Sequence, residues 1–239
     1  MIAEPAAAYV RESTRAGAPD AVVQSSASAM AREVIVRPIW RRFSARFLAN
    51  AAAYVHEGGH AAIVSDRGIV DMLLTVDDRG KITEQGQWAL LAIEQQRWRR
   101  VTSGVALGLA AARASRKFAA VVIDWCERDG GHPGPTRKIT FDCTTCAACC
   151  HDANVVLSEA DLARWRSADL LDLLGRTYVR RDSDGKITLR FAESGRCQHL
   201  REDKRCGIYA VRPDNCRVFP AGSEACLAAR EDTLGLRDD

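Results

Sequence analysis

Four cysteines, Cys143, Cys146, Cys149 and Cys150, fall within eight consecutive residues, and Cys197, Cys206, Cys216 and Cys226 follow downstream. Of the nine cysteines, only Cys126 lies outside this stretch. A cysteine that merely packs behaves as a small hydrophobe and comes singly on an apolar stripe. Two-residue gaps let the chain turn so that successive sulfurs face one centre, which is the spacing of metal ligands. The competing chemistry is a disulfide framework, which belongs to small secreted chains. The opening residues carry Glu4 and no basic side chain before their apolar positions, and Arg11, Glu12 and Arg15 follow at once. This is not the pattern of a signal peptide, so the expectation is a cytoplasmic protein whose thiols stay reduced and open to metal.

Eight thiols divide into two sets of four, the number that satisfies one tetrahedral zinc or one cubane iron–sulfur cluster. Cys143, Cys146 and Cys149 repeat the two-residue spacing that supplies three corners of a cubane. No second two-residue pair exists to complete a zinc knuckle, since eight residues separate Cys197 from Cys206. The spacing therefore favours an iron–sulfur cluster over zinc, and both stay open. Cys149 and Cys150 are adjacent and their side chains diverge, so one of them serves a different centre or remains a free thiol.

A second pattern, His56, Glu57 and His60, matches the H-E-x-x-H of zinc hydrolases, in which two histidines one helical turn apart bind metal and the glutamate is the base. Gly58 and Gly59 argue against it, because each glycine inside a helix costs about 1 kcal/mol relative to alanine. Only Glu84 and Glu94 offer themselves as a third ligand. Glu57 and His60 also match half of a di-iron motif whose second half is missing. The favoured reading is a helix that ends at the glycine pair, with surface or capping histidines.

Elements must carry these residues, and the periodicity predicts an α+β, mainly helical chain. Residues 1–30, rich in small residues, read as a flexible arm. From Pro38, the stripe Ile39, Trp40, Phe43, Phe47, Leu48 and Ala51 reads as a helix that reaches the His56 region. A short apolar segment, 69–76, follows. From 83 to 126 there is no proline, and Leu91, Trp98, Val101, Val105, Leu109 and Ala112 keep one helical face that Gly104 and Gly108 bend or break. Residues 31–128 thus read as a helical domain of three or four helices, and 129–137, with two prolines and three glycines, as a linker. Residues 138–229 form the metal-binding domain: a strand before Cys143, a helix capped by Ser158 and ended at Gly175, a hairpin turning through 182–185, and a short helix near 208–211. Residues 230–239 read as a tail.

With 34 basic and 31 acidic side chains, the net charge of +3 gives no electrostatic case for a nucleic-acid or membrane partner. The longest nearly uncharged run, 101–112, is too short to span a bilayer.

The order of Cys143, Cys146, Cys149 and Cys150, then Arg196-Cys197, Arg205-Cys206 with Tyr209, Arg212-Pro213, and Cys216 with Phe219-Pro220, resembles the YkgJ-like cysteine-cluster family, described as zinc- or iron-chelating or iron–sulfur proteins. The resemblance covers about 140–226 and implies metal binding by all eight cysteines. A related cluster in flagellin lysine N-methylases suggests protein modification. The chain departs from the family pattern at Ala147, where glycine is frequent, and at Ala221, where a bulky residue is frequent. On this reading Arg212 and Arg217 offset thiolate charge, while Tyr209 and Phe219 roof the site. Two functional classes follow: a redox or modification enzyme acting on a protein partner, and an interaction module that metal merely folds.

Overall fold

A computed structural model describes residues 33–237, so the expected arm over 1–30 lies outside the described residues. The expectation of a mainly helical N-terminal half is overturned: that half is built on a five-stranded mixed sheet. The helix predicted from Pro38 is a strand in its first part: β1 (Glu33–Pro38) leads through the buried Ile39 into β2 (Trp40–Ser44), and only the part from Leu48 is helical. Helix α1 (Leu48–His56) then crosses to β3 (His60–Val64), which runs parallel to β2. Strand β4 (Val70–Leu74) returns antiparallel, and α2 (Glu84–Ala92) follows, with Thr83 capping its N-terminus through a bond from the Gly86 N–H. The long helical stripe resolves into β5 (Arg99–Arg100) and β6 (Ala110–Arg113), an antiparallel pair that completes the sheet order β2-β3-β4-β6-β5. Gly104 and Gly108, at φ +79° and +88°, sit in the loop between them, a conformation that L side chains resist.

Alternation along the strands gives the sheet two apolar faces. Ala61, Ile63, Leu73 and Leu109 pack with Ala51, Ala52 and Val55 of α1. On the other face Ala62, Met72, Leu74, Ala110 and Ala112 meet Ala89 and Leu90 of α2, and Val122 and Trp125 of α3 (Ala119–Arg128). Four alanines are the reason periodicity misleads here. A fully covered strand is a continuous apolar run, and a run of alanines has the composition of a helix.

Beyond α3 the chain enters β7 (Thr136–Phe141), which pairs antiparallel with β1 in a separate two-stranded sheet, from Pro38 opposite Thr136 to Glu33 opposite Phe141. Ile139 and Phe141 form a small core with Cys226 and Leu227. A buried charge cluster lies close by. Asp129 accepts from Arg37 Nη1 at 2.8 Å and Nη2 at 3.0 Å, and from the Trp40 N–H at 2.8 Å. Arg37 Nη2 also donates to Glu224 at 2.9 Å, and Glu224 accepts in turn from Arg128. The segment read as a linker thus begins with a fully buried carboxylate that accepts four hydrogen bonds, the fourth from Arg128 Nε at 3.4 Å. No helix among the described residues is long and apolar enough to cross a membrane.

Candidate metal centre

Strand β7 delivers the chain to the first four thiols. Asp142 caps the single turn α4 (Cys143–Cys146), accepting from the Thr144 N–H at 3.1 Å. Ala147 then takes the left-handed conformation at φ +57°, and 148–150 make a 3-10 turn. This reversal brings Cys149 and Cys150 back towards the chain that arrives later: the Cys197 N–H donates to the Cys150 carbonyl at 2.9 Å. Cys197 itself bridges Phe191, and Cys206 bridges Leu200.

Cys216 is set by another route. Helix α5 (Glu159–Ser167) starts with a capping box between Ser158 and Asp161, as the Ser158 signal predicts. Asp161, wholly buried, accepts at 2.9 Å from the backbone N–H of Asp214, the first residue of α6 (Asp214–Arg217). Trp165 Nε1 donates to the Val211 carbonyl at 2.7 Å, which fixes the turn before it. Below lies a core of Val155, Leu157, Leu162 and Trp165 with β8 (Val179–Arg181) and β9 (Ile187–Leu189), the predicted hairpin.

Cys226 stands in the first turn of α7 (Glu224–Leu234), where its N–H is capped by Ser223 Oγ at 3.2 Å. One turn further on the same helix face, Arg230 Nη1 donates to Cys146 Sγ at 3.1 Å, and its guanidinium lies 5.1 Å from the Phe141 ring centre. Thr233 donates to the Ala148 carbonyl at 3.3 Å. Sequence reasoning missed Arg230. The available signal was its place four residues after Cys226, which a helix would put beside the thiol.

The thiols perturb one another's ionisation. Burial pushes the Cys216 thiol up to about 12, and Cys149, Cys197 and Cys206 add to the effect. Cys150 is raised by the neighbouring Cys149 thiol, then by burial and by Cys197 and Cys206. Cys150 in turn lowers Cys149 to about 7, against burial and with help from Arg212. Cys226 is pushed to about 12 by burial and by Cys149, Cys143 and Cys146. Cys149 thus acts on Cys150, Cys206, Cys216 and Cys226. Among the described residues, no three His, Cys, Asp or Glu side chains converge closely enough to hold a metal as they stand. The donor chemistry suits one, since thiolates select zinc or iron–sulfur, and Arg230 gives Cys146 the cationic partner that a thiolate takes.

Of the accessory residues, Arg212 lies 3.9 Å from the Tyr209 ring centre and acts on Cys149, Cys206 and Cys216. Arg217 instead ties the loop, donating to the Ala210 and Arg212 carbonyls. Phe219 faces Trp88 of α2 at 6.0 Å.

The His56 and His60 pattern is not one helix. α1 ends at His56, Gly58 turns the chain at φ +103°, and His60 begins β3, 1% exposed beside Trp40. Gly59 packs under Tyr54, whose ring would stand 2.3 Å from an added Cβ. Cys126 is buried and donates to the Val122 carbonyl at 3.3 Å, as a packed thiol does.

No curated protein and no solved structure matches the chain. Residues 142–233, which hold all eight clustered cysteines and Arg230, match the sequence model of the CxxCxxCC family, described as a putative zinc- or iron-chelating domain, the cysteine-cluster family that the motif order resembles.

Proposed function

We propose that the chain binds metal through Cys143, Cys146, Cys149, Cys150, Cys197, Cys206, Cys216 and Cys226, as an iron–sulfur cluster in preference to zinc. The observation that carries this reading is that the segments of Cys150 and Cys197, and of Cys146 and α7, are bonded to one another within the residues that match the zinc- or iron-chelating family. When bound, an iron–sulfur cluster supplies one-electron chemistry, whereas zinc supplies folding energy or Lewis acidity. The residues of the chain do the positioning. Arg230 holds Cys146 by its sulfur, Asp161 and Trp165 hold the turn that presents Cys216, and Arg212 sets a fixed positive charge beside Cys149, Cys206 and Cys216. A protein partner or substrate and a cytoplasmic setting belong to the same reading.

Anaerobic purification with iron, acid-labile sulfide and zinc analysis tests it. Iron and sulfide should co-purify. Cys226→Ser and Cys216→Ser should each lower the metal content. Full metal content in both variants would refute the ligand assignment. Colourless, zinc-loaded protein would transfer the reading to a metal-folded interaction module.

A further inference from the structure

We infer that the outer face of the β8–β9 sheet is a binding site for an oxyanion, the phosphoryl or carboxylate group of a small ligand. Strand β9 lies between β8 and the extended segment around Val156, so Thr188 stands opposite Arg180 on one side and Val156 on the other. Residues opposite one another share a face. Val155, Leu157, Val179, Ile187 and Leu189 point into the core, which leaves Thr188, Arg180 and Arg190 on the outer face.

A cleft of about 550 Å³ opens there, with Asn154, Arg180, Thr188 and Arg190 in its lining together with Asp152, Phe191 and the apolar Ala153 and Leu189. This volume suits a small ligand. A neighbouring cleft of about 420 Å³ shares Arg180 and Arg190 and adds Arg176 and Arg181. Four arginines therefore line the two clefts, which share Arg180 and Arg190. Their charge is only partly offset: Arg180 Nε pairs with Asp182 at 2.8 Å and its side chain is 66% exposed. Arg190 spends Nη1 on the Arg176 carbonyl at 2.9 Å, and among the described residues no carboxylate pairs with Arg176, Arg181 or Arg190. Planar guanidinium forks bind phosphoryl and carboxylate groups with two parallel bonds.

The second observation is Thr188 itself. It is 4% exposed, lines the cleft, and its Oγ1 has no hydrogen-bond partner. Buried hydroxyls are nearly always satisfied. A ligand oxygen held by Arg180 and Arg190 supplies the partner. The site borders the thiols: Phe191 in its wall bridges Cys197, and Asp152 follows Cys150 by two residues. The inference does not rest on the identity of the metal.

The test is calorimetric titration of the full chain, as purified, with a phosphomonoester (glycerol phosphate) and a dicarboxylate (succinate), with metal content measured in parallel. One probe or both should bind saturably at one site, and the tighter identifies the group recognised. Arg180→Gln with Arg190→Gln should weaken binding by about tenfold or more. Thr188→Val should weaken it several-fold with the fold retained. Arg97→Gln with Arg99→Gln, which removes equal charge from exposed positions at β5, should leave it unchanged. Metal content should be the same throughout, so failure here is distinct from failure of the metal reading. The inference is overturned if neither probe saturates, if the β5 variant loses as much as the cleft variant, or if Thr188→Val binds like wild type.

Discussion

His60 and Asp129 lie in one buried environment and respond to it in opposite ways. Burial, reinforced by the Arg37 guanidinium and opposed by Asp129, lowers His60 to about 3, so the folded chain keeps it neutral. The unfolded chain protonates it near pH 6.5. The unfolded state therefore binds more protons between about pH 6.5 and 3. The stabilisation is whole above that window and falls by about 1.4 kcal/mol per pH unit on acidification within it. His199, lowered to about 4 by burial, acts in the same sense. Urea unfolding at pH 7 and pH 5 should show this loss, and His60→Phe should reduce the difference between the two pH values. The imidazole Nε2 has no partner to forfeit in that variant. Asp129 resists burial because Arg37 and the Trp40 N–H hold its carboxyl below the usual range. Asp129→Ala leaves Arg37 buried without its bidentate partner and should cost about 3–5 kcal/mol in the same measurement. A loss below about 1 kcal/mol would mean that Glu224 alone neutralises Arg37.

Among the elements, the turn from α1 to β3 explains why a metalloprotease pattern occurs without a metalloprotease site. The glycine pair serves two separate needs: Gly58 supplies the positive φ that ends the helix, and Gly59 leaves room for the Tyr54 ring, whose hydroxyl donates to the Ile39 or Gly134 carbonyl. Gly59→Ala should cost about 1–3 kcal/mol by overpacking, read as a lower Tm, with metal content unchanged. Loss of metal in that variant would reinstate His56 and His60 as ligands. The sequence was legible wherever local chemistry decides the element: the Ser158 cap, the turn between β8 and β9, and the strand leading to Cys143. It was illegible where tertiary cover decides. Ala61, Ala62 and Ala110 are fully buried strand residues whose preference in isolation is helical. The aromatic spacing of Trp40 and Phe43 fitted a helix, yet the two side chains serve opposite faces of β2. At the site, cysteine spacing was visible as one-dimensional order, whereas the grouping around Cys149 needed the reversal at Ala147.

For the whole molecule, α7 is the common tie. Its first turn carries Glu224, bonded to Arg37 and Arg128, and Cys226, while Arg230 and Thr233 on later turns hold the first cysteine loop. The cysteine segment 143–217 has short elements, so metal should supply much of its order, on the order of 10 kcal/mol for a small site. Chelation of the purified protein should therefore expose this segment to protease while the five-stranded sheet, with its two covered faces, stays intact. Cleavage spread equally over both parts would show that α7 transmits the loss to the sheet through Glu224.

The pairing of β1 with β7 also dictates an order of events during synthesis. Glu33 lies opposite Phe141, so the first strand has no strand partner until about a hundred more residues have been made. Closing such a loop costs about 2 kcal/mol more than closing a ten-residue hairpin. Strands β2 to β6 can meanwhile assemble from neighbours close in sequence, and folding rates favour such contacts. During that interval β1 presents Val34 and Val36 with its backbone edge unpaired, a template that a second nascent chain can occupy. Slow translation between 39 and 141 should therefore favour aggregation, and Val34→Lys with Val36→Lys, which charges the exposed side chains of β1, should make the chain less prone to it.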